Sequence, residues 1–217
     1  MVFHAELIVL SFTKIKENAL VLHCLSREWG RRGFITSVPK NAGTALFQPL
    51  SILDAEVVEN PRSDLWRLRG ISAKYGLNGI RASMVKNSMT MFMSEVLYRT
   101  IHDGDTEDGL YDWCRRSILT LDALEGDYAN YHLRFLLEFA AALGFSPSTE
   151  DLAPFSGSRS REIAALAGAD FSSCMLLPLS GQARGEIAGQ LLKYLEFHTG
   201  EQLNIRSLAV LRELYGK

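Results

Sequence analysis

The sequence has little of what most small-protein chemistries require. Its 217 residues hold three cysteines, Cys24, Cys114 and Cys174, too far apart for a CxxC pair, so neither a disulfide framework nor a zinc knuckle is written in them. The five histidines, His4, His23, His102, His132 and His198, are dispersed without HExxH or any other ligand spacing, and no metal site is expected. No apolar run approaches the roughly 18 residues of a membrane span. The opening MVFHAELIVLSFTK is too short, too acidic at Glu6 and too alternating for a signal peptide, so a cytoplasmic protein with no membrane partner is expected. A GxxxxGK[ST] loop, a GxGxxG after a strand and a GxSxG elbow are all missing. Ser83-Met84-Val85-Lys86 satisfies SxxK but lacks the SDN and KTG elements that accompany it in penicillin-binding enzymes. The acids Asp103, Asp105, Glu107 and Asp108 read as a solvated loop favouring the next helix N-terminus. No catalytic residue and no cofactor is expected.

What is present is an ordinary globular composition, 47% apolar and 22% charged, with an uneven spread of charge. Residues 1–86 hold 12 Lys and Arg against 7 Asp and Glu, whereas 87–217 hold 11 against 18, so a net −2 divides into +5 and −7. A basic module followed by an acidic one, with different partners, is the implication.

The two parts also differ in period. Apolar and polar residues alternate through the first, predicting strands over 5–13, 19–27, 33–38, 50–58 and 65–73, with connections at 14–18, 28–32 and 39–48. Five short strands in so few residues fit an OB-fold, although an SH3-like barrel has as many. After about residue 74 the period becomes 3.6: Val85, Met89, Phe92 and Val96 form one stripe of a helix over 77–102, with the methionines Met84, Met89, Met91 and Met93 read as core. Further helices are predicted over 106–123, 128–143, 160–167, 183–197 and 204–215, with a loop over 146–160. The expected fold is multi-domain α+β: a five-stranded OB-fold β-barrel over 1–76, which binds DNA, then an all-α helical domain over 77–217, which binds partners.

Cations collect at the barrel connections: Lys14 and Lys16 in the first, Arg27, Arg31 and Arg32 around the second, and Lys40 in the next. Such clusters suit phosphates, because each neutralised phosphate releases counterions. Phe12, Trp29, Phe34 and Phe47 either offer stacking faces for bases or fill the barrel.

Four strings, LSREWGRRGFIT (25–36), QPLSILDAEV (48–57), YHLRFLLEFAAALGFSP (131–147) and IRSLAVLRELY (205–215), resemble in order and spacing the bacterial recombination mediators of the RecO family. The resemblance implies an OB-fold and a helical domain, binding of single- and double-stranded DNA, annealing of complementary strands and loading of recombinase onto DNA coated by single-stranded DNA-binding protein. It also implies two partners, RecR and the C-terminal tail of single-stranded DNA-binding protein. Arg134 matches the position of a family cation beside the apolar pocket for that tail; Arg206 and Arg212 are further candidates for the same groove. Where many members carry a four-cysteine zinc site, residues 149–179 hold only Cys174, so no zinc is expected. The competing reading is a protein-interaction scaffold whose OB-like barrel does not bind DNA.

Overall fold

Alternating apolar residues need a closed surface to face, and the N-terminal strands supply it for one another. The computed structural model describes residues 1–37 and 45–215. Its strands β1 (Val2–Lys16), β2 (Ala19–Ser26), β3 (Gly30–Ser37), β4 (Ile52–Val58) and β5 (Trp66–Ala73) form a closed barrel in the order β1-β2-β3-β5-β4. With β3 parallel to β5 and the other neighbours antiparallel, this is the OB-fold order. Leu7, Val9, Leu20, Leu22, Phe34, Phe47, Leu53 and Val57 fill it without exposure.

Two strands exceed their predicted bounds, and both changes move candidate cations. β1 runs on to Lys16 because ladder bonding does not require burial: Leu7 to Lys16 pair with β2 while Val2 to Ile8 pair with β4. Only Glu17 and Asn18 remain as the turn, so Lys14 and Lys16 are strand residues. β3 starts at Gly30, whose φ of +60 ends the turn after β2 and returns the chain to the ladder, Arg31 opposite Leu25 and Arg32 opposite Cys24. Arg31 and Arg32 therefore lie in a strand, not in a connection.

The helices are α1 (Asn78–Ala82), α2 (Met84–Thr100), α3 (Leu110–Ala123), α4 (Tyr131–Ala142), α5 (Thr149–Ser156), α6 (Ser160–Gly168), α7 (Phe171–Leu176), α8 (Gly181–Thr199) and α9 (Ser207–Tyr215). The helix expected over 77–102 is broken at Ser83, whose Oγ accepts the Lys86 N–H and caps α2. Gly109, at φ +80, delays α3 beyond the expected residue 106. The loop expected over 146–160 holds α5, because Ser148 and Asp151 form a reciprocal capping box, and Pro154 sits inside that short helix. Met89 and Met93 are core, as read; Met84 and Met91 are exposed.

The chain forms two compact units, Met1–Asn78 with Leu97–Ile118, and Gly79–Val96 with Leu119–Lys217. In the first, Glu6 of β1 accepts hydrogen bonds from the Tyr111 hydroxyl at 2.8 Å and from Arg115 Nε at 2.9 Å, fixing the start of α3 to the barrel. In the second, α4 is the centre, with Leu133, Leu136, Phe139 and Ala140 buried and α8 packed against it. Among the described residues no helix is long and apolar enough to cross a membrane.

Candidate nucleic-acid interface

The six cations singled out in the sequence have separate fates. Arg27, just past β2, donates from Nη2 to Asp112 Oδ1 at 2.5 Å, a bond that holds the Asp112 carboxyl below its usual range. Arg31 donates from Nε to Asp103 Oδ1 at 2.6 Å and from Nη1 to the Tyr98 carbonyl. Asp103 and Asp112 are thus counterions, and Asp105 accepts the His102 N–H; the segment is more than a solvated loop. Arg32 lies over Trp66, its Cζ 4.0 Å from the ring centroid, with no carboxylate partner among the described residues. Lys14 and Lys16 are exposed and unpaired among the described residues. Lys40 lies outside the described residues.

Two cations that the sequence reading missed complete the surface. Along β5, Trp66 and Leu68 are buried while Arg67 and Arg69 point out, exposed and without an ion pair among the described residues. The alternation WRLRG carries that signal, since residues 67 and 69 fall on the face opposite Trp66 and Leu68. β3 and β5 pair only through Phe34 with Trp66 and Ile35 with Arg67. Beside and beyond that pairing the seam holds a groove of about 290 Å³ lined by Ala19, Ile35, Thr36, Ser37, Arg67, Leu68 and Arg69. Lys16, opposite Ala19, flanks it from β1, with Lys14 two residues back. Of the aromatics, Phe34 and Phe47 fill the barrel and Trp29 packs against it, whereas Phe12 is 39% exposed.

In the helical unit, Arg134 donates from Nε to Glu138 at 2.6 Å and from Nη1 to the Ala169 carbonyl at 2.8 Å. It also edges a groove of about 290 Å³ with Leu137, Ala141, Pro147 and Ala167. Arg206 and Arg212 do not line that groove; Arg212 lies across α8 and donates to the Gly185 carbonyl. Lys86 is buried and donates to the Asp122 and Leu124 carbonyls, so it closes the end of α3, and Ser83 serves as a cap. Cys174 is buried in α7 with its thiol pushed up to about 11, and among the described residues no three His, Cys, Asp or Glu side chains converge on a metal position. The single thiol does not fit a zinc site.

The family model described as recombination protein O, C terminal, matches residues 81–213, more than half of the chain. The chain belongs to the RecO family. It is 33% identical to the DNA repair protein RecO of Phocaeicola vulgatus over 66% of this chain, and the match spans 61% of that protein. Identity to the RecO of Bacteroides fragilis is 26%, over 96% of this chain and 88% of the relative. The RecO of Christiangramia forsetii is 25% identical over the full length of both chains. The RecO model thus falls mainly on the helices, and the longer matches take in the barrel as well.

Proposed function

We propose that this protein is a mediator of recombinational DNA repair that holds single-stranded DNA on its barrel, along the seam between β3 and β5. The observation that carries the reading is a set of four exposed cations, Lys14, Lys16, Arg67 and Arg69, unpaired among the described residues and placed around the groove between β3 and β5. A chain of phosphates laid along them releases counterions without demanding a base sequence. Neutralising two strands in turn lowers their repulsion, which is what annealing requires, and no covalent step is involved. The relatives' name, DNA repair protein, agrees with this role.

Recruitment to coated DNA belongs to the helical unit in this reading. Arg134, beside a groove that Leu137, Ala141, Pro147 and Ala167 line together with Ser146 and Ser148, is suited to the terminal carboxylate of the tail of single-stranded DNA-binding protein, since its guanidinium donates two parallel hydrogen bonds once Glu138 yields. RecR is the second proposed partner, and loading of recombinase the outcome.

The test is a titration of fluorescent single-stranded DNA at several salt concentrations. Replacing Arg67 and Arg69 together by Ala should lower affinity and flatten the slope of log K against log salt by about 1.4, the value for two phosphate contacts on a single strand. Arg27→Ala should leave that slope unchanged, because Asp112 already neutralises Arg27. An unchanged slope in the double variant, or no binding at all, would favour the scaffold reading, for which the neutralised Arg27 and Arg31 speak.

A further inference from the structure

A column of rings packs against the barrel core. Phe3 meets Trp29 with centroids 5.7 Å apart, and Trp29 meets Trp66 at 5.3 Å, both edge-on. Arg32 continues the column over Trp66. Alternation along β3 puts Arg32 on the side of Phe34 and Thr36, both buried, so its guanidinium caps the column where a surface arginine would reach outward. Its Nε is shielded from solvent and has no hydrogen-bond partner among the described residues.

Next to this plate lies a cavity of about 330 Å³ lined by Arg31, Arg32, Gly33, Asp64, Asp103 and Gly104. Its formal charges cancel, two guanidiniums against two carboxylates, and Asp103 is already held by Arg31. A phosphate gains little in such a place. A flat, uncharged group with donors and acceptors on its edge gains more: it stacks on a guanidinium and donates to a carboxylate. Unpaired bases are recognised in just these ways. The cavity is lined by residues 31–33 of β3 and the cationic groove by 35–37, so the two lie about 13 Å apart along one strand at roughly 3.3 Å per residue.

We propose that this cavity takes an unpaired nucleobase from a strand whose phosphates lie on the groove, the base stacking on Arg32 with Asp64 accepting from its exocyclic amine. The proposal rests on the single-strand reading above and adds to it a position where a base, and not only the backbone, is held.

The experiment uses the full chain with two oligonucleotides of equal length, one of adenine nucleotides and one of abasic nucleotides. The wild type is expected to bind the adenine strand about tenfold or more tightly than the abasic one, the scale of one stacked base. Arg32→Lys keeps the charge and the salt slope but loses the planar plate, so it should bind the adenine strand several-fold more weakly and the abasic strand as before. Equal affinity of the wild type for both strands overturns the proposal, as does an equal loss on both in the variant, which would mark Arg32 as a phosphate contact. A wild type that binds neither strand overturns the single-strand reading itself. If Arg32→Lys melts early, the wild type alone decides: a cytosine strand, whose base carries the exocyclic amine that Asp64 accepts from, should bind several-fold more tightly than a uracil strand, which lacks it, and equal affinity overturns the proposal.

Discussion

A charged side chain declares its type in the sequence but not its counterion. Arg27 and Arg31 looked like phosphate ligands because they flank a turn; their partners Asp112 and Asp103 lie more than 70 residues on, and no local pattern joins them. Arg67 and Arg69 lie outside the connections, yet they are exposed and have no ion pair among the described residues. His132 shows the same limit among uncharged groups. It has no ligand-spaced partner in the sequence, and nothing nearby in sequence foretells Tyr215 stacked on it at 5.7 Å or Phe92 edge-on at 6.0 Å. Burial, with the positive charge of Arg184 nearby, depresses its pKa from 6.5 to about 3, and its Nδ1 has no hydrogen-bond partner among the described residues. The neutral ring is the folded form, so its contribution to stability is whole above about pH 6.5 and is lost as pH falls towards 3. His132→Phe keeps an apolar ring and cannot protonate. The stability of wild type relative to this variant, from urea melts, should therefore drop by about 2 kcal/mol between pH 7 and pH 5. A constant difference would show that His132 does not titrate between the folded and unfolded states.

Elements were legible where one period ran uninterrupted and unclear where a turn residue intervened. The alternation of β2, β4 and β5 and the nearly all-round apolar surface of α4 gave those elements almost at their observed bounds. The failures share a cause, since Gly30, Ser83, Gly109 and the pair Ser148 and Asp151 each place a boundary by local backbone geometry or capping that hydrophobic period does not report. Lys86 belongs to this level too. The short spacing from Ser83 resembled a catalytic pair, but it is the spacing of a helix cap, and the lysine reaches across to close α3 at its last carbonyls. Lys86→Met fills a similar volume and leaves those carbonyls without the charged donor. It should lower unfolding stability by about 1.5–3 kcal/mol, the scale of a hydrogen bond to a charged group, while leaving the affinity for single-stranded DNA unaltered. Retained stability, read from a denaturant midpoint, would reduce Lys86 to a bystander at the end of α3.

At the level of the whole molecule, the charge division read from the sequence does not survive folding. Residues 1–78 carry ten Lys and Arg against seven Asp and Glu, and 97–118 carry three against five, so the barrel unit nets only +1. The other unit then nets −3, which restores the total of −2. In the proposed reading, attraction for a polyanion rests on the cations around the seam between β3 and β5 and not on the net charge of the unit. The segment Leu97–Ile118 is what neutralises the rest, and it is bound into the barrel unit by side chains as well as by charge. Gly30 has no room for a Cβ, which would lie 1.8 Å from the Asp105 carbonyl oxygen, and Gly104 donates its N–H to the Arg31 carbonyl. A fragment ending at residue 76 lacks that whole layer. Glu6 loses both Tyr111 and Arg115, and Arg31, whose side chain is 16% exposed in the full chain, loses Asp103 and the Tyr98 carbonyl. Glu6 keeps Lys74 at 3.9 Å, but each hydrogen bond lost from a charged group costs about 1.5–3 kcal/mol, against the 5–15 kcal/mol that a domain has in total. Fragment 1–76 should accordingly show no sharp thermal transition by circular dichroism where the full chain does. Any DNA binding it retains should depend more steeply on salt, because Arg27 and Arg31 no longer have Asp112 and Asp103. A fragment that melts as sharply and at the same temperature as the full chain would show that the barrel stands without the returning segment, and that its acids serve only to screen the two arginines.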